Sequence, residues 1–398
     1  MRIKSAVACL VILTFPGACA KTGSPVFGAP AVVAMPASGE VAGPRFSTGF
    51  DGQLVLSWME PAETGATLRY SALLDGEFQP AVDVVTDAQM FVNWADLPSV
   101  TPLTGDRWIA HWLRYSAAKT YSYDVVVSQS HDGGSIWDDA VTAHTDGTQT
   151  EHGFVSIAPG ADGASLLWLD GRNTPDAAMT LRSAVITPNG DLVQEQEVDD
   201  TVCDCCQTDV AIAAGGPVAV YRDRTSDEIR DIYITRFRDG RWQTGERLYA
   251  DNWEIAGCPV NGPSVVASGD QVAVAWFSAA NDKPVVRVMR SVDSGVSFAD
   301  PVEIASGAIK GYVGLAALEH DSLAVSWVAK GESGDNVLQV RSISASGKPG
   351  PVIEVATIHQ LRVFPQLAFA DGHVWLAWTD DDANQRRLVA ARVPVSPL

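Results

Sequence analysis

The sequence predicts an all-β fold, a seven-bladed β-propeller, on three observations. A Trp or Tyr closing a short apolar run recurs seven times, at Trp58, Trp112, Trp168, Tyr221, Trp276, Trp327 and Trp378, at intervals of 54, 56, 53, 55, 51 and 51 residues. Each anchor follows a Gly-bearing or polar turn and a run of strand formers such as Gln271-Val-Ala-Val-Ala-Trp276. Between anchors, short runs rich in Val, Ile, Leu, Tyr and Trp alternate with Gly, Asp and Asn, the pattern of antiparallel strands joined by turns. A period of about 50 residues holding four such strands is one propeller blade. Six blades is the alternative count.

Each repeat reads as a first strand, a turn, a second strand ending at the anchor, a polar loop, and third and fourth strands. The last repeat stops after its third strand, Leu388 to Val393, whereas an apolar stretch, Ala31 to Met35, precedes the first repeat without a place in it. That stretch is expected to supply the missing outer strand and close the ring. Closure removes the sheet edges that would pair between molecules, so a monomer is expected.

Residues 1–20 read as an export signal. Met1-Arg-Ile-Lys4 gives a charged start, Ala6 to Phe15 an apolar core, and Gly17-Ala-Cys-Ala20 a small-residue cleavage region. Pro16-Gly-Ala-Cys19 resembles a bacterial lipobox with Pro in place of the usual Leu, so lipidation at Cys19 and ordinary cleavage are the alternatives. A tether over 21–28 and a single propeller domain over 29–398 complete the division. No other stretch approaches the ~20 apolar residues of a membrane span. The formal charge of −20 becomes −22 once Arg2 and Lys4 are removed, which excludes nucleic acid and anionic membranes as partners. A lipid anchor is the remaining route to a membrane.

Two repeats share a signature between their third and fourth strands. Ser130-His-Asp-Gly-Gly-Ser-Ile-Trp137 and Ser291-Val-Asp-Ser-Gly-Val-Ser-Phe298 fit Ser-x-Asp-x-Gly-x-x-aromatic, with degenerate relatives at Leu74-Asp-Gly-Glu-Phe78 and Arg238-Asp-Gly-Arg-Trp242. The Asp can accept backbone N–H bonds, Gly can take positive φ, and the aromatic can plug the blade. This resembles the Asp-box, or BNR, repeat of the sialidase superfamily. The resemblance implies a propeller whose boxes lie on the face opposite the active site. In an active member it implies three arginines, a Tyr paired with a Glu as nucleophile, and an Asp acid/base. The family's Arg-Ile-Pro segment is missing here, with Pro44-Arg-Phe46 near its place, and the sequence assigns no Tyr/Glu pair.

Propeller topology places the residues just after each anchor on one rim with those 16 to 18 residues before it. Glu60, Arg114, Asp170, Arg172, Arg222, Asp223, Arg224 and Asp380 fall there, with Arg230 and Asp231 shortly after. Planar guanidinium groups bind carboxylates bidentately. Arg114, Arg172, Arg222, Arg224 and Arg230 are therefore candidates to hold an acidic saccharide, with Asp170 and Asp223 as catalytic acids. An exo-glycosidase of the sialidase type follows if the site is catalytic. The structural alternative is that these Arg/Asp pairs are salt bridges tying blades together.

The same rim collects cysteines. Cys203 and Cys258 each lie 18 residues before their anchors, Cys205 and Cys206 follow Cys203, and His152 lies 16 before Trp168. In an exported protein these read as disulfides, with a bridge from Cys258 to Cys203 or Cys206 stapling blades 4 and 5. The alternatives are a copper or zinc site made by the four cysteines and His152, or a redox-active pair. On those alternatives the chain handles metal or binds a protein ligand in the envelope. Trp94 and Trp253, in rim connections, can stack on a ring ligand or pack over the cysteines. Phosphate-binding loops, G-x-S-x-G, H-E-x-x-H and Ca-loop patterns are absent from the sequence.

Overall fold

The computed structural model describes residues 24–396, apart from 38, 162, 175, 360–361 and 383–384. Cys19 and the expected signal lie outside the described residues. Seven antiparallel sheets follow one another along the chain, each with its first strand innermost. In blade 3 the order is His152–Gly160, Gly163–Asp170, Thr180–Ile186 and Leu192–Asp199. The second strands are buried along most of their length, as in Gly163–Asp170. Both faces pack against neighbouring blades, so these strands read as unbroken apolar runs and not as alternations. The outer strand Leu192–Asp199 is half exposed and correspondingly polar.

All seven anchors sit on second strands and are at most 2% exposed. Each packs toward the preceding blade. Trp168 shares a core cluster with Ile109 and Val125 of blade 2, Trp276 with Val218 and Ile234 of blade 4, and Trp378 with Val328 and Leu338 of blade 6. At about 200 Å² per ring and about 25 cal/mol per Å², each ring contributes up to about 5 kcal/mol of transfer free energy.

The ring closes as expected. Ala31–Val33 pairs antiparallel with Ala390 to Arg392 of the last strand, Gln385–Ser396. Val26–Phe27 also pairs with Val395 and Ser396, and Phe27 is buried against blades 6 and 7. The tether expected over 21–28 is thus partly sheet, because Phe27 is apolar enough to dock.

Both Asp-boxes form the expected turn. In the first, Asp132 Oδ1 accepts the N–H groups of Ser135 and Ile136 at 3.1 and 2.8 Å, and Gly133 and Gly134 take φ of +74° and +85°. In the second, Asp293 Oδ1 accepts from Val296 and Ser297 at 3.1 and 2.9 Å. The degenerate relatives are instead two-residue hairpins, with Asp75-Gly76 and Asp239-Gly240 at positive φ between paired Leu74 and Glu77 and paired Arg238 and Arg241.

Two outcomes follow. The hydroxyls of Ser291 and Ser297 and the backbone donors hold Asp293 down at about 2, against about 3.9 in an unfolded chain. A depressed folded pKa stabilises above the unfolded value, and that stabilisation fades as pH falls toward the folded one. Asp293→Asn should therefore lower the urea midpoint at pH 7, with the gap to the parent closing between about pH 4 and pH 2. The indole N–H of Trp276 donates to Asp251 at 2.7 Å, whereas that of Trp327 has no hydrogen-bond partner. Trp276→Phe should cost about 1–2 kcal/mol more than Trp327→Phe in urea unfolding; equal costs would contradict this account of the anchors.

Candidate functional site

The anchors recruit carboxylates, and the carboxylates recruit arginines. Trp58 donates to Glu60, Trp112 to Asp87, Trp168 to Asp170 and Trp276 to Asp251, at 2.7 to 3.1 Å. Arg69, Arg114, Arg172 and Arg287 then pair with those same four carboxylates at 2.5 to 3.1 Å. Tyr221 donates to Asp199 at 2.6 Å without an arginine joining.

This repeated triad takes up three of the expected site residues, Asp170, Arg114 and Arg172. Arg172 forms a fork to Asp170, with Nε and Nη2 both at 2.7 Å, and reaches Glu195 at 2.6 Å. Arg114 is paired with Asp87 and stacked over Trp112. Arg222 is 2% exposed and donates to the backbone carbonyls of Asn261, Phe277 and Arg230, with its guanidinium 4.9 Å from the Trp253 ring. Arg224 is held by Asp204 and Glu228, and Arg230 by Glu228 and the Cys203 sulfur. The five arginines do share the rim, but as inter-blade and intra-loop ties. Trp253, 7% exposed, packs over Arg222 instead of standing free.

The two expected acids differ. Burial opposes ionisation of Asp170, but the bonds from Arg172 and Trp168 and the nearby His152 hold it below the usual carboxylate range. It is a poor proton donor at neutral pH. Burial and the neighbouring Asp199 push Asp223 up to about 7, a value suited to proton transfer. The sequence missed a third acid. Asp96, 2% exposed, donates no charge to a salt bridge, keeps Oδ2 without a partner, and is pushed up to about 7 by burial. It lines the central channel, a cavity of about 550 Å³ walled by the inner strands together with Arg45 and Asp209.

A Tyr–Glu pair also exists, contrary to the sequence assignment. Tyr123 donates to Glu151 at 2.6 Å. Tyr123 is fully buried, stacked on Phe91 at 4.4 Å between ring centroids, and burial raises its hydroxyl pKa further from a nucleophile's range.

The cysteines divide in a way that the sequence did not reveal. The disulfide joins Cys205 to Cys258, not Cys203 or Cys206 to Cys258. It staples blades 4 and 5 as expected. Cys203 and Cys206, only 1% and 2% exposed, turn inward as thiols with sulfurs 2.8 Å apart. They are spaced Cys-x-x-Cys, a relation hidden when the run is read as a vicinal cluster. The Cys206 S–H, with Arg222 and Arg230 behind it, lowers Cys203 to about 6 although burial opposes this, whereas burial raises Cys206. His152 does not join them. It stacks on His144, ring centroids 3.8 Å apart, among Asp124, Asp146 and Asp170.

Around the same mouth, packed on the apolar cluster that also holds Cys205, lies a group of rings that only Trp94 signalled. Trp94, in the connection into blade 2, meets Tyr312 of blade 6 edge-on at 6.3 Å, and Tyr312 meets Phe364 of the blade 7 connection at 5.4 Å. Arg362 lies 5.9 Å over the Trp94 ring. Lys310 precedes Tyr312, and burial together with nearby Lys330 lowers its pKa. None of Lys310, Lys330 and Arg362 forms an ion pair among the described residues. All three rings are partly exposed.

No protein-family model matches the chain, and no curated protein matches it. Solved structures do. A protein of unknown function from Dyadobacter fermentans superposes with a TM-score of 0.53 at 13% identity, covering 94% of this chain and 99% of that one. An α-L-arabinofuranosidase from Fusarium graminearum, bound to an iminosugar inhibitor, gives 0.50 at 13% identity over 94% and 98%. A Hadza microbial sialidase gives 0.50 at 11% identity over 84% and 74%. The fold is that of a sialidase-like propeller, and at these identities the likeness extends to the fold alone.

The disulfide closes a loop of 53 residues, for which loop-closure entropy predicts about 3–4 kcal/mol. Cys258→Ser should lower unfolding free energy by that amount, and a loss under about 1 kcal/mol would show that blades 4 and 5 are held without it.

Proposed function

We propose that this chain is an exported envelope protein that binds an acidic saccharide at the mouth of its channel, on the side formed by blades 2, 6 and 7. One observation carries the reading: Arg362 lies over the Trp94 ring, which meets Tyr312, and neither it nor the neighbouring pair Lys310 and Lys330 forms an ion pair among the described residues. In a chain of net charge −20, unpaired cations beside aromatic rings mark a place where an anionic ligand meets opposite charge. Aromatic faces accept the apolar face of a sugar ring, and the cations answer its carboxylate. The arginines of blades 3 to 5 are saturated by Asp170, Glu195, Asp204 and Glu228, so they support this reading only as scaffold. The neighbours named as a sialidase and an arabinofuranosidase agree with a saccharide ligand. Asp96 at the channel and Asp223 across the rim, each at about 7, are the groups able to pass a proton if a glycosidic bond is cleaved.

A second reading rests on Cys203 and Cys206. Two buried sulfurs 2.8 Å apart, one lowered to about 6, suit capture of Cu(I) or thiol exchange with a partner protein.

Titration with sialyllactose and trigalacturonate, each against a neutral sugar of equal size, tests the first reading. Acidic sugars should bind and neutral ones should not, and Arg362→Gln and Trp94→Ala should each weaken binding about tenfold or more. Arg172→Ala should lower stability with little change in affinity. Equal affinity for neutral sugars, or binding by both variants as by the parent, would overturn the reading. Release of a fluorogenic aglycone that Asp96→Asn abolishes would add hydrolysis to binding.

A further inference from the structure

Thiol exchange with a partner protein needs a cysteine that the partner can reach, and Cys203 and Cys206 are only 1% and 2% exposed. The exposed member of the group is Cys258, bonded to the half-buried Cys205. The two pairs are in contact. The sulfurs of Cys203, Cys205 and Cys206 all lie within 4.8 Å of one another, so the buried thiols stand against one end of a disulfide whose other end is at the surface.

The two thiols are unequal. The Cys206 S–H, with the Cys205 N–H, Arg222 and the Arg230 guanidinium 3.4 Å from its sulfur, holds Cys203 at about 6 although burial opposes this, whereas burial raises Cys206. A thiol held near ambient pH is largely thiolate and keeps most of its intrinsic reactivity. Cys206 is placed to resolve what Cys203 forms, since their sulfurs are 2.8 Å apart and a bond needs about 2.0 Å. Residues 203–206 and Cys258 lie outside the strands, so the sulfurs can change partners without breaking a ladder. Nothing stands within 4 Å of where a Cβ on Gly257 would be, which leaves a released Cys258 room to turn outward.

We propose that the four cysteines form one thiol–disulfide exchange centre, in which Cys203 attacks Cys205, Cys206 resolves the product, and the exposed Cys258 is released as the thiol that meets a partner. The proposal rests on the thiol-exchange reading of Cys203 and Cys206 and is independent of the saccharide. In the first step the Cys203 thiolate, its proton lost to solvent, bonds to Cys205 Sγ; the Cys205–Cys258 bond breaks, and Cys258 leaves as a thiolate that solvent protonates. In the second, Cys206 gives up its proton and bonds to Cys203 Sγ; the Cys203–Cys205 bond breaks, and Cys205 leaves and is protonated. One disulfide and two thiols stand on each side, so no outside oxidant or reductant is consumed. A bridge between residues 53 apart in sequence, joining blades 4 and 5, becomes a ring within residues 203–206, and the staple between the blades is released.

The mature chain is brought to two free thiols per molecule, with one equivalent of dithiothreitol if it is isolated fully oxidised, and the folded protein is treated with iodoacetamide before peptide mapping. Label is expected on Cys205 and Cys258, with Cys203 bonded to Cys206. In Cys203→Ser, labelling of Cys258 should slow at least about tenfold. Circular dichroism confirms folding, and Cys203→Ala decides the matter if Cys203→Ser does not fold. A folded parent that keeps Cys205 bonded to Cys258, or equal labelling in the folded Cys203 variant, would overturn the relay. Cys206→Ser, which holds a single thiol, separates this from simple exchange when it meets glutathione disulfide. Glutathione on Cys258, with Cys203 bonded to Cys205, is the expected product. Glutathione on Cys203 with Cys205–Cys258 intact would keep thiol exchange and overturn the relay, and no glutathione on any cysteine would overturn both.

Discussion

Each blade packs a large ring from the end of its second strand into the apolar cluster it shares with the blade before it, and the rim is organised by that contact. A buried indole favours a partner for its N–H. In blades 1, 2, 3 and 5 the partner is a carboxylate, which in turn needs a counter-charge and obtains it from Arg69, Arg114, Arg172 or Arg287. Most of the rim's visible chemistry is thus a consequence of packing. The arginines stand where the anchors place carboxylates, and they are spent there.

Blades 6 and 7 lack this arrangement. Trp327 and Trp378 have indole N–H groups without hydrogen-bond partners, so no anchor carboxylate draws a cation inward. Arg362 lies over Trp94, beside Tyr312, and Lys310 and Lys330 stand near each other without an ion pair among the described residues. The rim is therefore divided: a self-neutralised side on blades 1 to 5, and a cationic, aromatic side that a ligand can complete. The disulfide and the buried Arg222 reinforce the first side, joining blade 4 to blade 5 through Asn261 and Phe277.

Much of the scaffold could be read from the chain. The anchors recur at a period set by the blade, Ala31 to Met35 stood out as an apolar stretch without a repeat and its first three residues form the closing strand, and the Asp-boxes carry their own hydrogen bonds within eight residues. What stayed hidden depends on side-chain direction or on distant partners. Arg172 looks identical in sequence whether it faces a ligand or Asp170. Cys205 and Cys206 are adjacent, so opposite side-chain directions decide which reaches Cys258. His152 was grouped with the cysteines by spacing along the repeat, but Tyr123 and the connection holding His144 and Asp146 bring it to blade 2 instead. Trp94 meets Tyr312 and Phe364 only because the ring brings blades 2, 6 and 7 around one mouth.

The divided rim is tested most directly by amide hydrogen exchange of the mature protein with and without saturating trigalacturonate or sialyllactose. The account predicts slowed exchange confined to the segments around Trp94, Lys310 to Val313 and Arg362 to Phe364. Protection centred on Asp170 to Arg230, with those segments unchanged, would show that the paired arginines release their carboxylates for ligand and would contradict it.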